Sequence, residues 1–497
     1  MIYKKFEERE RMSSSLVKRN TILNIIRSIC TVVFPLITFP YISRTLLADG
    51  VGKINFGNSI VSYFSLFASL GITTYALKEC ARNRNSRESL SITASEIFSI
   101  NVCSTLLSYA IMALFLIFAK PLYNYRSLIV IQSTIILFNT LGAEWINSAM
   151  EDFAYITFRS VFFQGLSIVL MFIFVHQPED YMRYAAITVL SACGSNIVNV
   201  FYRKKFCDIH FTLRMNVKKH LPPILLFFSM VLTQQVYVNS DITILGLSKS
   251  DYEVGLYSTS VKIYNIVNSV VASVSTVVWP QIAEAYKKGR QSDVNRLSKY
   301  SLNFILVLGL PSIVGINVIA KELILLMAGE EYVGATMSLH ILTVALLFSF
   351  LGGWIGSTMF LPNNKESICL IASTAAAVVN MVLNLVFIPF LGLNAAAATT
   401  AIAEGISFII LLLRFDKNMK IDSIYEMLKG PVLGAVFIIA SSVVIRIFFD
   451  APILICVLTM ILSVAGYFGV LVLVKDTFLM GYINPIVRKL KKGVNKK

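Results

Sequence analysis

Residues 453–474 read ILICVLTMILSVAGYFGVLVLV, an apolar run without a single Asp, Glu, Lys, Arg or His. Coiled as an α-helix at ~1.5 Å per residue it would be about 33 Å long, the thickness of a bilayer's hydrocarbon core. Such a helix is apolar all round, so it belongs in lipid or in a large core rather than at a water-facing surface. Similar runs recur along the whole chain. Fourteen can be read, at about 21–43, 54–77, 92–118, 127–150, 153–175, 182–202, 221–246, 253–280, 300–319, 332–361, 366–388, 393–413, 431–448 and 453–474. The fold class expected is therefore all-α, a polytopic membrane protein of about fourteen transmembrane helices.

Composition points the same way. The 497 residues are 56% hydrophobic and 14% charged, against roughly 25% charged in a soluble protein. A net charge of +16 would suit nucleic acid, but the Lys and Arg residues sit in short breaks between apolar runs, where they encode orientation. With alternating spans, 34 of the 44 fall on the side of the N-terminus and 8 on the other, while Arg27 and Lys262 lie inside spans. The basic side faces the cytoplasm, so both termini are expected there, and no nucleic-acid partner is expected. The first apolar run, continuing to about Tyr41, is longer than the ~7–15 residues of a signal peptide's core and should stay in the mature protein.

The spans group as six, six and two. An N-terminal lobe over 1–202 (helices 1–6), a cytoplasmic basic linker over 203–220, a C-terminal lobe over 221–413 (helices 7–12), and an extra helix pair with a basic cytoplasmic tail over 414–497 are expected. Val51-Gly52 opens the second span and Val254-Gly255 the eighth, a weak repeat that suggests two parallel halves. Chance similarity between apolar helices is the alternative.

Polar stripes run at helical spacing through four spans. They are Asn20, Asn24, Arg27, Ser28, Thr31 and Thr38; Asn55, Asn58, Ser59, Ser62, Ser69 and Thr73; Ser229, Thr233, Tyr237 and Asp241; and Ser258, Lys262, Asn265, Ser269 and Thr276. Such stripes face protein or water rather than lipid, which suggests a central aqueous cavity. Interhelical hydrogen bonding by small polar residues is the plainer reading. Arg27 and Lys262 converging on a cavity would suit an anionic ligand such as a pyrophosphate; snorkelling to the interface is the competing role. Asp241 and Glu404 are candidates for pairing or for coupling to a proton or sodium. Pro35 should bend the first span.

Other chemistries lack residues. Seven scattered cysteines and the histidines His176, His210, His220 and His340 form no zinc spacing or disulfide framework. Gly50-Val51-Gly52-Lys53 does not meet the phosphate-loop pattern. The breaks on the outer side are too short to carry convergent catalytic groups, so no enzyme and no cofactor are expected.

The stretch Pro35–Arg44, Gly50-Val51-Gly52-Lys53-Ile54-Asn55-Phe56, Lys78-Glu79-Cys80-Ala81-Arg82, Glu144-Trp145 through Arg159, Asp241 with Leu245-Gly246, Val254-Gly255-Leu256-Tyr257-Ser258, and Asn380, Asn384, Ile388-Pro389 and Glu404 together resemble the Wzx-type oligosaccharide flippases of the multidrug/oligosaccharidyl-lipid/polysaccharide exporter superfamily. The likeness covers about 15–415. Leu47-Ala48, where the family usually reads Leu-Gly, and Asn394 for a usual glycine are departures. The resemblance implies two lobes, alternating access, and an undecaprenyl-pyrophosphate-linked oligosaccharide carried to the outer leaflet of a bacterial cytoplasmic membrane. It implies that cavity cations such as Arg27 and Arg44 hold the headgroup. Arg159, Lys262, Asn24 and Asn58 are expected as further substrate contacts, and Glu79, Asp241 and Glu404 in coupling or gating. Membrane lipids and polysaccharide polymerase machinery are the implied partners. A peptidoglycan or teichoic-acid precursor flippase, or an ion-coupled small-molecule exporter, remains the alternative.

Overall fold

The structure is a computed structural model that describes the backbone of residues 2–415, 423–476 and 478–481, with side chains at Cys30 and from Val33 onward except Met230, Thr276 and Val277. Its regular structure is helical throughout, with no strand among the described residues. In chain order the first nine α-helices are α1 (Ile2–Ser69), α2 (Ile72–Arg82), α3 (Arg87–Phe118), α4 (Arg126–Gly142), α5 (Trp145–Ala149), α6 (Phe153–Phe174), α7 (Tyr181–Tyr202), α8 (Val217–Ser248) and α9 (Asp251–Lys287). Then follow α10 (Gln291–Val318), α11 (Ala320–Met327), α12 (Thr336–Ile355), α13 (Glu366–Leu391), α14 (Leu393–Leu413), α15 (Ile424–Phe448) and α16 (Pro452–Leu473).

Among the described residues twelve helical segments are long and apolar enough to cross a membrane. The difference from fourteen arises at two places. Residues 33–82 count as one segment, although Leu47 (φ 59°, ψ 178°) breaks α1 into two helices. The fourth run yields only the 17 residues of α4, short of the ~20 that span the core comfortably. The backbone of α1 stays helical at Pro35 and Pro40; Leu47 is its non-helical residue.

Two further breaks differ from the sequence reading. The second run, read to 77, stops at Ser69, because Leu70 (φ 46°) and Gly71 (φ 72°) turn left-handed and a left-handed residue ends a helix. The fourth, read to 150, stops at Gly142 because Ala143 (φ 47°) does the same.

By packing, the chain divides into two compact units, 1–255 and 256–497. The segment before α8 is bound along α3 within the first unit. Backbone N–H groups of Asp208, His210 and Thr212 donate to the hydroxyls of Ser91, Ser95 and Ser99, at 3.1, 3.3 and 2.8 Å. Two residues of extended chain advance about 6.6 Å and four residues of helix about 6 Å, so the two ladders stay in step. Arg87 adds bonds to the Lys204 carbonyl and to Asp208 at 3.0 and 3.1 Å. At the start of α8, His220 is fully buried, with Nδ1 2.7 Å from the Tyr75 hydroxyl and Nε2 2.9 Å from Glu96.

The second unit has its own polar ties. Asn384 donates to Asn380 at 3.0 Å and accepts from Thr399, all three buried. Arg446 grips Glu322 with two bonds, at 2.6 and 3.0 Å, fastening the last helix pair to α11.

Candidate functional site

The two interrupted helices of the first unit end beside one cavity. α1 stops at Ser69 and α4 at Gly142, and each stop leaves carbonyls without helical partners. Side chains of neighbouring helices take them up. Asn101 and Ser104 of α3 donate to the Ala68 carbonyl at 2.8 and 2.5 Å. Asn199 of α7 donates to the Gly142 carbonyl at 2.8 Å, and Arg203 to that of Leu141 at 2.6 Å. Gly142 leaves room for this packing, since a Cβ there would lie 2.5 Å from that of Asn196.

The cavity between them is about 290 Å³, lined by Ser65, Ala68, Ser69, Thr73, Asn101, Ile136, Asn139, Thr140, Glu144, Trp145, Ala192 and Asn196. Eight of these twelve side chains are polar, and one of the eight, Glu144, is charged. Asn196 donates to Asn139 Oδ1 at 2.8 Å, while its own buried Oδ1 has no hydrogen-bond partner. Thr140 shares a 2.8 Å hydrogen bond with Thr105. Glu144 receives Arg159 Nη2 at 2.5 Å, with Arg159 only 3% exposed. A second cavity of about 290 Å³ adjoins it along α7, sharing Ala192 and lined by Thr38, Gln164, Ser167, Tyr184, Thr188 and Ser191 among apolar residues.

Polar surface of this kind is costly at membrane depth unless it meets water, a ligand or another polar group. Non-helical backbone at that depth is tolerated where it is buried in protein or lines a cavity. Here a polar cavity and two non-helical breaks coincide.

At the other break of α1 the helix backbone comes into contact with the first turn of α9. A Cβ on Gly52 would lie 1.8 Å from the Asp251 carbonyl oxygen, and one on Gly255 2.1 Å from that of Ala48. These are the two glycines of the Val-Gly repeat. The Tyr125 hydroxyl donates to Asp251 at 2.6 Å, and its ring lies edge-on to Phe56 at 4.8 Å. Burial, and then the bond to Asp251, hold the Tyr125 phenol above its ordinary range.

Of the residues expected at a site, Arg159 reaches the cavity, through Glu144. The side chains of Arg27 and Asn24 lie outside the described residues, as do residues 416–422 and the tail beyond Gly481. Arg44 is exposed, with Nη1 2.8 Å from the Pro40 carbonyl, and Asn58 is exposed on the same helix. Glu79 is half-buried and paired with Arg82 at 2.8 Å. Asp241 is buried, 3.4 Å from the Ser240 hydroxyl. In the second unit, Lys262 and Glu404 are half-buried, and Glu404 accepts from Tyr264 at 3.4 Å. The sequence reading passed over Asn101, Asn139, Thr140 and Asn196, although each is a polar residue inside an apolar run. Among the described residues no group of three His, Cys, Asp or Glu is placed to hold a metal ion.

Known proteins are similar to this chain. A putative O-antigen transporter of Escherichia coli K12 is 24% identical over 422 residues, covering 82% of this chain and 98% of that protein. The capsular polysaccharide biosynthesis protein CapF of Staphylococcus aureus is 23% identical over 396 residues, covering 78% and 95%. The lipid II flippase MurJ, in its inward closed conformation, superposes with a TM-score of 0.63 at 16% identity over 93% of this chain and 100% of its own. A multidrug resistance MATE family transporter of the MOP superfamily, inward-facing, gives 0.56 at 17% identity over 78% and 96%. At these identities the solved structures share with this chain a fold, a polytopic helical one. Residues 17–286, more than half of the chain, match the sequence profile of the polysaccharide biosynthesis protein family, and the chain belongs to that family.

Proposed function

We propose that the protein is a flippase that moves undecaprenyl-pyrophosphate-linked oligosaccharide repeat units from the inner to the outer leaflet of a bacterial cytoplasmic membrane, by alternating access. The observation that carries this reading is the polar cavity lined by α1, α3, α4 and α7 of the first unit, in a chain of the polysaccharide biosynthesis family. A hydrophilic glycan cannot cross hydrocarbon unaided, because each unpartnered hydroxyl costs ~1–3 kcal/mol or more to bury. A surface of amides and hydroxyls at membrane depth offsets that cost. The names of the relatives from Escherichia coli and Staphylococcus aureus support the class of cargo.

In this reading Arg27 and Arg44, with Asn24 and Asn58, meet the pyrophosphate; Lys262 is a substrate-binding cation of the second unit, and Arg159 acts on the cargo through the Glu144 carboxylate that it holds. Asp241, Glu404 and Glu79 are the carboxylates whose pairing or protonation couples transport to a proton or sodium gradient. Both termini are cytoplasmic, in keeping with the distribution of Lys and Arg. Surrounding lipids and a polysaccharide polymerase that accepts the delivered unit are the partners. The glycine crossing of α1 and α9 is a joint that parts in one access state.

Deletion of the gene tests this. Lipid-linked repeat units should accumulate on the cytoplasmic leaflet, inaccessible to an impermeant lectin until the cells are opened. Unchanged surface polysaccharide in a strain without a second flippase would refute it.

A further inference from the structure

We propose that the cavity at the ends of α1 and α4 is a saccharide subsite, which binds one or two uncharged sugar units of the cargo through amide and hydroxyl groups. The inference rests on the flippase reading for the kind of ligand, and it says which part of that ligand goes where. The cargo has three chemically distinct parts: an isoprenoid tail, a pyrophosphate and a glycan. The lining is the wrong partner for two of them.

An isoprenoid needs apolar walls, and eight of the twelve lining side chains are polar. A pyrophosphate needs cations, and the lining contains no Lys or Arg; its one charged member is the carboxylate of Glu144. Arg159 lies behind that carboxylate, 3% exposed and bonded to it. What remains suits hydroxyl and acetamido groups. Thr73, Asn101, Asn139, Thr140 and Asn196 offer donors and acceptors together, which matches the dual character of a sugar hydroxyl.

Access and volume narrow the ligand further. Thr73, Asn139 and Ala192 of the lining are exposed, so the cavity is open to an entering molecule. The volume, about 290 Å³, is at the lower end for sites that take a small molecule, which limits occupancy to a short saccharide. The Glu144 carboxylate adds a selection by charge. It accepts bonds from neutral hydroxyls and repels the carboxylate of a uronic acid.

The test is saturation-transfer NMR on the full chain in lipid nanodiscs. The probes are cellobiose and N,N′-diacetylchitobiose as neutral disaccharides, cellobiouronic acid as the acidic one, and sugar-free undecaprenyl pyrophosphate as competitor. At least one neutral disaccharide should bind saturably in the millimolar range, with the acidic one weaker by about tenfold or more. Ala192→Leu fills the cavity without removing a hydrogen-bonding group, and Thr73→Val removes one hydroxyl at an exposed position. Each should weaken neutral-sugar binding about fivefold or more, and the sugar-free carrier should not displace the sugar. Loss of binding in Ala192→Leu with the native thermal midpoint kept supports the assignment. Three results overturn it: no saturable signal from either neutral disaccharide up to about 50 mM, binding indifferent to Ala192→Leu, or displacement by the sugar-free carrier. Carrier binding is measured separately by native mass spectrometry. Carrier bound without sugar binding removes the subsite and leaves the flippase reading; sugar bound without carrier binding does the reverse.

Discussion

Replacing Gly52 by alanine inserts one methyl group where the second half of α1 crosses the first turn of α9. Its carbon would stand 1.8 Å from the carbonyl oxygen of Asp251, 2.6 Å from the carbonyl carbon and 3.1 Å from the nitrogen of Gly255. All three are backbone atoms, so no change of rotamer relieves the contact. To reach about 3.3 Å, an ordinary C–H···O separation, the two helices must part by roughly 1.5 Å. Overpacking of this kind costs ~1–3 kcal/mol, which corresponds to a 5–150-fold shift between two conformations if only one of them contains the crossing. Gly255→Ala should act alike, because its methyl would meet the Ala48 carbonyl oxygen at 2.1 Å. The assay is a distance distribution between spin labels at Asp49→Cys and Tyr252→Cys, in a cysteine-free background reconstituted in lipid. Gly52→Ala should move population from the short to the long distance and slow transport, with the chain still inserted and folded. Unaltered distances and unaltered transport in both variants would refute the argument that this crossing is a joint of the transport cycle.

The segment 206–216 should be released by alanine at Ser91, Ser95 and Ser99 together, since each lost bond costs ~0.5–1.5 kcal/mol. Hydrogen exchange of the amides of Asp208, His210 and Thr212 should then accelerate about tenfold or more, and unaltered protection would show that the ladder does not hold the segment. Glu144→Ala takes from the buried Arg159 a carboxylate at 2.5 Å and should destabilise the first unit by about 3 kcal/mol. A thermal midpoint in detergent equal to that of the native chain would contradict this. Burial pushes the Cys207 thiol up to about 11, and because only the thiolate reacts, labelling by maleimide should be negligible at pH 8 and rise as the pH approaches that value. Rapid labelling of Cys207 at pH 8 in the folded chain would contradict its buried position.

Hydropathy alone located the apolar segments, because a helix in lipid must be apolar over a bilayer's thickness and satisfies its backbone internally. What it could not show was where those segments stop. Leu70, Gly71 and Ala143 end helices by backbone conformation, and neither Leu nor Ala is a residue that advertises a left-handed turn. The stretch 203–220 read as a basic linker from its charge. Its docking on Ser91, Ser95 and Ser99 was hidden, since serines four apart on α3 look the same whether or not a segment is bound to them. At the site, charge drew attention to Arg27, Arg44 and Lys262. The cavity is instead built largely of neutral amides and hydroxyls such as Asn139, Thr140 and Asn196, which in sequence are indistinguishable from interhelical hydrogen-bonding residues. Arg159 was singled out for a ligand and the structure gives it Glu144 as partner; the carboxylate stood in the same quoted motif. The Val51-Gly52 and Val254-Gly255 pair was legible as a repeat, but only coordinates reveal that the two copies touch.

Transbilayer movement itself is the most direct measurement. Purified chain is reconstituted into vesicles holding an undecaprenyl-pyrophosphate oligosaccharide with a dithionite-sensitive fluorophore on the sugar. The account predicts that inner-leaflet fluorescence, protected in protein-free vesicles, becomes accessible to external dithionite when the chain is present, and that Ala192→Leu slows this. Protection identical to that of protein-free vesicles, with the chain folded and both orientations represented, would contradict it.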